Sequence, residues 1–184
     1  MSYDLYCYKA TVNKPDLEDA QAAIEIDEDG TIADPQLKEK IAKALLDYNP
    51  QLERFEFDHG EMAEHAGEAV DEGNKAFTHI ELNTPESGLA TQITIFNTTV
   101  SITVPYWYSG QDADKVFDNI AEYAKVIRRA AGYFVYDPQT DAVFDPLTES
   151  NFGVDLYKSM TVKVENLVNR KAEEAVKKPW WRFW

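Results

Sequence analysis

All three histidines of the chain, His59, His65 and His79, fall within residues 53–81, beside Asp58, Glu61, Glu64 and Glu68. On a helix Glu61 and His65 stand four apart, on one face, where they could share a metal ion or a proton. A small hydrolase or transferase using His59, Glu61, Glu64 and His65 is the enzymatic reading of this cluster. His59 and His65 are not spaced as a helical ligand pair, and the set matches no zinc pattern. A solvated acidic helix with incidental histidines is the simpler reading, so neither a metal nor a cofactor is expected.

A second acidic stretch, Asp27-Glu28-Asp29-Gly30-Thr31-Ile32, echoes the middle of a calcium loop. Such a loop needs a bidentate carboxylate at its last position. With Gly30 placed sixth, that position falls on Gln36, after Pro35, so a plain acidic turn is expected. No Gly-rich loop ending in Lys-Ser/Thr, no G-x-G-x-x-G, no G-x-S-x-G and no His-Glu-x-x-His is present, which removes the usual signs of nucleotide enzymes and hydrolases. The expectation is a protein with no catalytic residue.

Aromatic residues point elsewhere. Tyr106-Trp107-Tyr108 closes a strand-like run, and three consecutive aromatics on a strand cannot all face one core, because neighbours point to opposite faces. The chain ends Lys177-Lys178-Pro179-Trp180-Trp181-Arg182-Phe183-Trp184. Trp and Arg are the usual anchors of protein interfaces. Tyr106, Trp107, Tyr108, Trp180, Trp181, Arg182 and Trp184 are therefore the candidate partner-binding residues. The tail can dock on its own body, on a second copy as a homodimer, or at a membrane surface. The expectation is that Trp180, Trp181 and Trp184 bury in the first or second way, with membrane contact last.

The elements that position these residues follow from periodicity. Tyr3, Leu5 and Cys7 alternate with Asp4, Tyr6 and Tyr8, which predicts a strand. A short helix is expected from Asp16 to about Ile24. A second helix is capped by Asp34 with Pro35 in its first turn, and Asn49-Pro50 stops it. Residues 52–57 read as a strand and residues 60–72 as a polar helix or a loop. Residues 77–83, 92–97 and 100–105 read as strands, the last two joined as a hairpin through Asn97-Thr98-Thr99. A helix is predicted from Asp112 to Ala131, with Gly132 as its left-handed cap. A hairpin follows around the type I turn Asp137-Pro138-Gln139-Thr140, and a long helix runs from Val154 to Val176. The expected fold is α+β: an antiparallel sheet of several hairpins, helices packed on one face, and a long C-terminal helix. Residues 1–150 form the body, and residues 151–184 the helix and basic aromatic tail of the same domain.

The opening Met1-Ser2-Tyr3-Asp4-Leu5-Tyr6, the run from Gln92-Ile93-Thr94-Ile95-Phe96 through Val104-Pro105-Tyr106-Trp107, and Gly132-Tyr133-Phe134-Val135-Tyr136-Asp137-Pro138-Gln139-Thr140 resemble stretches of a family of uncharacterised bacterial proteins. The resemblance implies a bacterial origin and carries over no functional residue.

Charge sharpens the choice of partner. The chain has 18 Lys and Arg against 33 Asp and Glu, a net of −15. Residues 161–184 hold six basic and three acidic residues, which leaves −18 on residues 1–160. Such a field repels nucleic-acid phosphates and speeds encounter with a basic protein. The one cysteine, Cys7, cannot form an internal disulfide, and no secretory or membrane-spanning stretch is visible, so a reducing cytoplasm is expected. The functional expectation is a non-enzymatic acidic protein that masks or sequesters a basic protein partner, as an immunity or inhibitor protein does.

Overall fold

The computed structural model describes residues 2–12, 15–28, 34–55, 79–85, 87–149 and 152–177, the stretches 26–28 and 167–177 by their backbone alone. Along Ser2–Tyr8 (β1) the strand pairs with two others at once. Its partners are Thr99–Pro105 (β5), in register Leu5 with Ile102, and Phe134–Asp137 (β6), in register Cys7 with Val135. Outward from β5 lie Gln92–Ile95 (β4), Ile80–Asn83 (β3) and Glu53–Phe55 (β2), and beyond β6 lies Ala142–Phe144 (β7). Every pairing is antiparallel, in the order β2-β3-β4-β5-β1-β6-β7. The helices are Leu17–Glu28 (α1), Pro35–Tyr48 (α2), Gly110–Ala131 (α3) and Val154–Lys177 (α4). The architecture is α+β on an antiparallel sheet.

Alternation sorts the strand side chains onto two faces. Tyr3, Leu5, Cys7, Leu82, Ile93, Ile95, Val100, Ile102, Val104 and Val135 share the first face, each almost fully buried. Against them pack Ile41 and Leu45 of α2, Val116, Phe117, Ile120 and Ile127 of α3, and Tyr157 of α4. The caps hold as the sequence predicts. Asp34 Oδ1 accepts the Leu37 N–H at 3.0 Å, and Gly132 takes the left-handed conformation, φ 77°, that a side chain resists. The Asp137–Thr140 turn closes with Thr140 N–H donating to the Asp137 carbonyl at 3.2 Å.

Two expectations need correction. The helices do not all sit on one face: α1 lies on the second face, where Ala20 and Ala23 bury Tyr8 and Tyr136. Small alanine side chains let the helix approach the two large rings, which the tyrosine-rich side of β1 and β6 supplies. The acidic pair Asp27-Glu28, expected in a turn, belongs to α1 instead. Glutamate is a good helix former, and a charge pair alone does not stop a helix. The expectations for residues 56–57, 60–72 and 77–78, and the Asp29–Ile32 part of the calcium echo, fall outside the described residues.

Candidate binding face

The second face of the sheet can be followed strand by strand through the register. One row runs Phe55, Glu81, Thr94, Ser101, Tyr6, Tyr136, Val143 across all seven strands. The next runs Glu53, Asn83, Gln92, Thr103, Asp4 across five. In the first row Thr94 and Ser101 are buried, whereas in the second Glu53 is exposed and the other four are half-buried. No Lys or Arg occurs in either row. Arg54, between Glu53 and Phe55, turns to the helix side, where it binds Glu39 of α2 through two bonds of 3.0 and 2.9 Å. That pairing holds the Glu39 carboxyl below its usual pKa. The face thus carries Asp4, Glu53 and Glu81 without a strand-borne cation.

A groove of about 410 Å³ opens over the interior of the second row, between Asp4 and Glu53, with Ser2, Asn83, Gln92, Thr103, Pro105 and Trp107 among its lining residues. Much of its polar lining is already engaged. Ser2 Oγ donates to Asp4 Oδ2 at 3.0 Å and Thr103 Oγ1 to Asp4 Oδ1 at 2.8 Å, which fixes that carboxylate while leaving each oxygen a free lone pair. Asn83 Nδ2 donates to Glu81 Oε1 at 2.7 Å. The Gln92 carboxamide and the Trp107 indole N–H have no protein hydrogen bond among the described residues. They are free to meet an occupant.

The three consecutive aromatics lie in the turn just after β5 rather than on the strand, and they face different surroundings. Tyr106 is buried and stacks on Tyr157, ring centroids 5.1 Å apart. Tyr108 is half-buried, its hydroxyl accepting the Ala90 N–H at 2.5 Å. Trp107 is 65% exposed at the groove wall. Of the three, Trp107 alone offers its ring to a partner; Tyr106 belongs to the core and Tyr108 packs against it. Trp180, Trp181, Arg182 and Trp184 lie outside the described residues, as do His59, Glu61, Glu64 and His65. His79 stands next to Phe96, ring centroids 5.6 Å apart, and burial lowers its pKa. Among the described residues no group of three or more His, Cys, Asp or Glu could hold a metal ion.

A second concavity, about 310 Å³, lies between α1, the start of α2 and the β4–β5 turn, lined in part by Lys9, Asp19, Asp34, Asn97 and Thr98. Its polar groups largely serve the fold. Thr11 donates to Asp19 by both its hydroxyl and its N–H, Asp34 caps α2, and Asn97 Oδ1 accepts from the buried Lys38 ammonium at 3.1 Å. A third cluster is closed to any substrate. Asp137 is fully buried; its Oδ2 accepts from the Tyr3 hydroxyl and from Gly153 N–H at 3.1 Å, and its Oδ1 from Gln139 N–H at 2.9 Å. Sequence reasoning missed this cluster because its members are distant in the chain, Tyr3 and Asp137 being 134 residues apart.

No protein-family model, no curated protein and no solved structure matches the chain.

Proposed function

We propose that this is a non-enzymatic, acidic binding protein that masks or sequesters a basic protein partner, in the way an immunity or inhibitor protein does. The observation that supports this best is the second sheet face, where Asp4, Glu53 and Glu81 stand in two side-chain rows without Lys or Arg, beside the exposed Trp107. A surface of one charge sign steers an oppositely charged partner and disfavours others, and an exposed indole supplies an apolar anchor. In this reading the partner meets the protein in the cytoplasm, nucleic acid takes no part, and the aromatic tail is a second anchor or a homodimer contact. Among the described residues no helix is long and apolar enough to cross a membrane.

The test is affinity capture at low and raised salt with the wild type and a variant carrying Asp4→Asn, Glu53→Gln and Glu81→Gln. A basic protein should be retained at about 20 mM salt and released at about 300 mM, where the Debye length falls severalfold. The neutralised variant should retain little of it. Retention that ignores both salt and the three substitutions refutes the proposal.

A further inference from the structure

Register turns the second row into a ruler. Glu53 and Asp4 stand at its ends with Asn83, Gln92 and Thr103 between them. Four strand-to-strand steps separate the two carboxylates, about 19 Å at the usual spacing. The interior of the row carries carboxamides and a hydroxyl and no charge. An extended chain advances about 3.3 Å per residue and shows alternate side chains to one surface. Residues i and i+6 of such a chain therefore lie about 20 Å apart on one side, whereas i+4 falls short and i+8 overshoots. An odd spacing turns the second side chain away.

Trp107 follows β5 and lines the groove together with the register partners Ser2 and Pro105. A segment that spans the row through the groove therefore passes the indole. Arg suits Asp4 and Glu53 better than Lys, because its planar guanidinium meets a carboxylate through two N–H groups at once. The Gln92 carboxamide lies midway, able to donate to and accept from a passing backbone.

From this geometry we infer that the second row takes an extended segment of the basic partner bearing two arginines six residues apart, one on Asp4 and one on Glu53, with small polar residues lying in the groove between them. The inference rests on the basic-partner reading above and names what that partner presents. Neither carboxylate meets a cation within the described chain, so both charges are open to the segment.

The experiment uses the full chain and synthetic peptides of glycine, serine and threonine, equal in length and charge, with two arginines at i and i+4, i and i+6, or i and i+8. Binding is measured by calorimetry at about 20 mM salt, where exposed pairs are least screened. The i+6 peptide should bind about three- to fivefold more tightly than the others, the range an added surface ion pair gives. Asp4→Asn and Glu53→Gln should each reduce it to their level. Trp107→Ala should weaken all three peptides, and Lys in place of Arg should weaken the i+6 peptide. Unchanged melting curves would show that the variants remain folded. Equal affinities across the three spacings would overturn the inference while leaving the basic-partner reading in place. Failure to retain any basic ligand, peptide or protein, would overturn both.

Discussion

Replacing Tyr3 by phenylalanine removes one hydroxyl from the centre of the molecule and tests what Asp137 is for. That carboxylate is fully buried, and no described cation forms an ion pair with it. Its Oδ2 has two donors, the Tyr3 hydroxyl and Gly153 N–H, and the variant leaves one. A hydrogen bond to a charged group contributes about 1.5–3 kcal/mol, and a buried acceptor that loses a donor keeps its desolvation cost. Tyr3→Phe should therefore destabilise the fold by about 2–3 kcal/mol, a drop of about 1 M in the urea midpoint at ordinary slopes. Combined with Asp137→Asn, the loss should be smaller than the sum of the single losses, because the two side chains share one bond. Alkali gives an independent reading. Burial first, and then the Asp137 carboxylate, raise the Tyr3 hydroxyl above its ordinary 10.0. The stability this supplies is complete below pH 10 and is lost as pH climbs from there towards the folded pKa, about 1.4 kcal/mol per unit. Tyr8, Tyr106, Tyr123 and Tyr157 shift in the same direction, so Tyr3→Phe should lessen the alkaline decline by one group's share. A loss below about 0.5 kcal/mol with an unchanged alkaline limb would refute the argument, since surface substitutions give as much.

Three further outcomes follow from local geometry. A Cβ on Gly153 would sit 3.0 Å from Thr140 Cγ2, 3.1 Å from Asp137 Oδ2 and 3.2 Å from Tyr3 Oη, so Gly153→Ala should cost about 1–3 kcal/mol by overpacking, measured by thermal unfolding. Tyr8→Phe should be neutral or stabilising in the same assay, because the buried Tyr8 hydroxyl has no hydrogen-bond partner to lose among the described residues; a loss above about 1 kcal/mol would contradict this. Burial pushes the Cys7 thiol up to about 12, so an aromatic disulfide reagent at neutral pH should label it only as fast as the protein opens, and prompt labelling of the native protein would show the strand exposed.

The parts of the fold legible in the sequence were those whose signals are local. Alternation along residues 3–8 marks β1 and separates its faces, Asp34-Pro35 starts α2, Gly132 ends α3, and Asp137-Pro138 sets a turn that forms as expected. The placement of α1 was not legible, because no local signal ties Ala20 and Ala23 to Tyr8 and Tyr136, which come from two strands far apart in the chain. The candidate site was legible in one stretch, Tyr106-Trp107-Tyr108, but which of the three is exposed was not, because they lie in the turn after β5 and not on the strand. Its floor was not legible. Asn83, Gln92 and Thr103 are unremarkable polar residues in three separate strands, and only the register sets them in line between Glu53 and Asp4. The same holds for Gly153, whose importance comes from two oxygens contributed by β1 and β6.

The central place of the first strand has a consequence for synthesis. Both neighbours of β1 are made long after it: Asp4 meets its partner Thr103 across 99 residues, and the β6 contact comes later still. A ribosome adding about 5–20 residues per second takes roughly 5–20 s between making the two halves of the β1–β5 ladder. For that interval Tyr3, Leu5 and Cys7 have no sheet to join. Pairings this distant also slow folding, since the loop must close before any contact rewards it. The nascent chain therefore presents an apolar strand edge that a chaperone can hold, and the sheet can be completed only once residues 142–144 of β7 have left the ribosome.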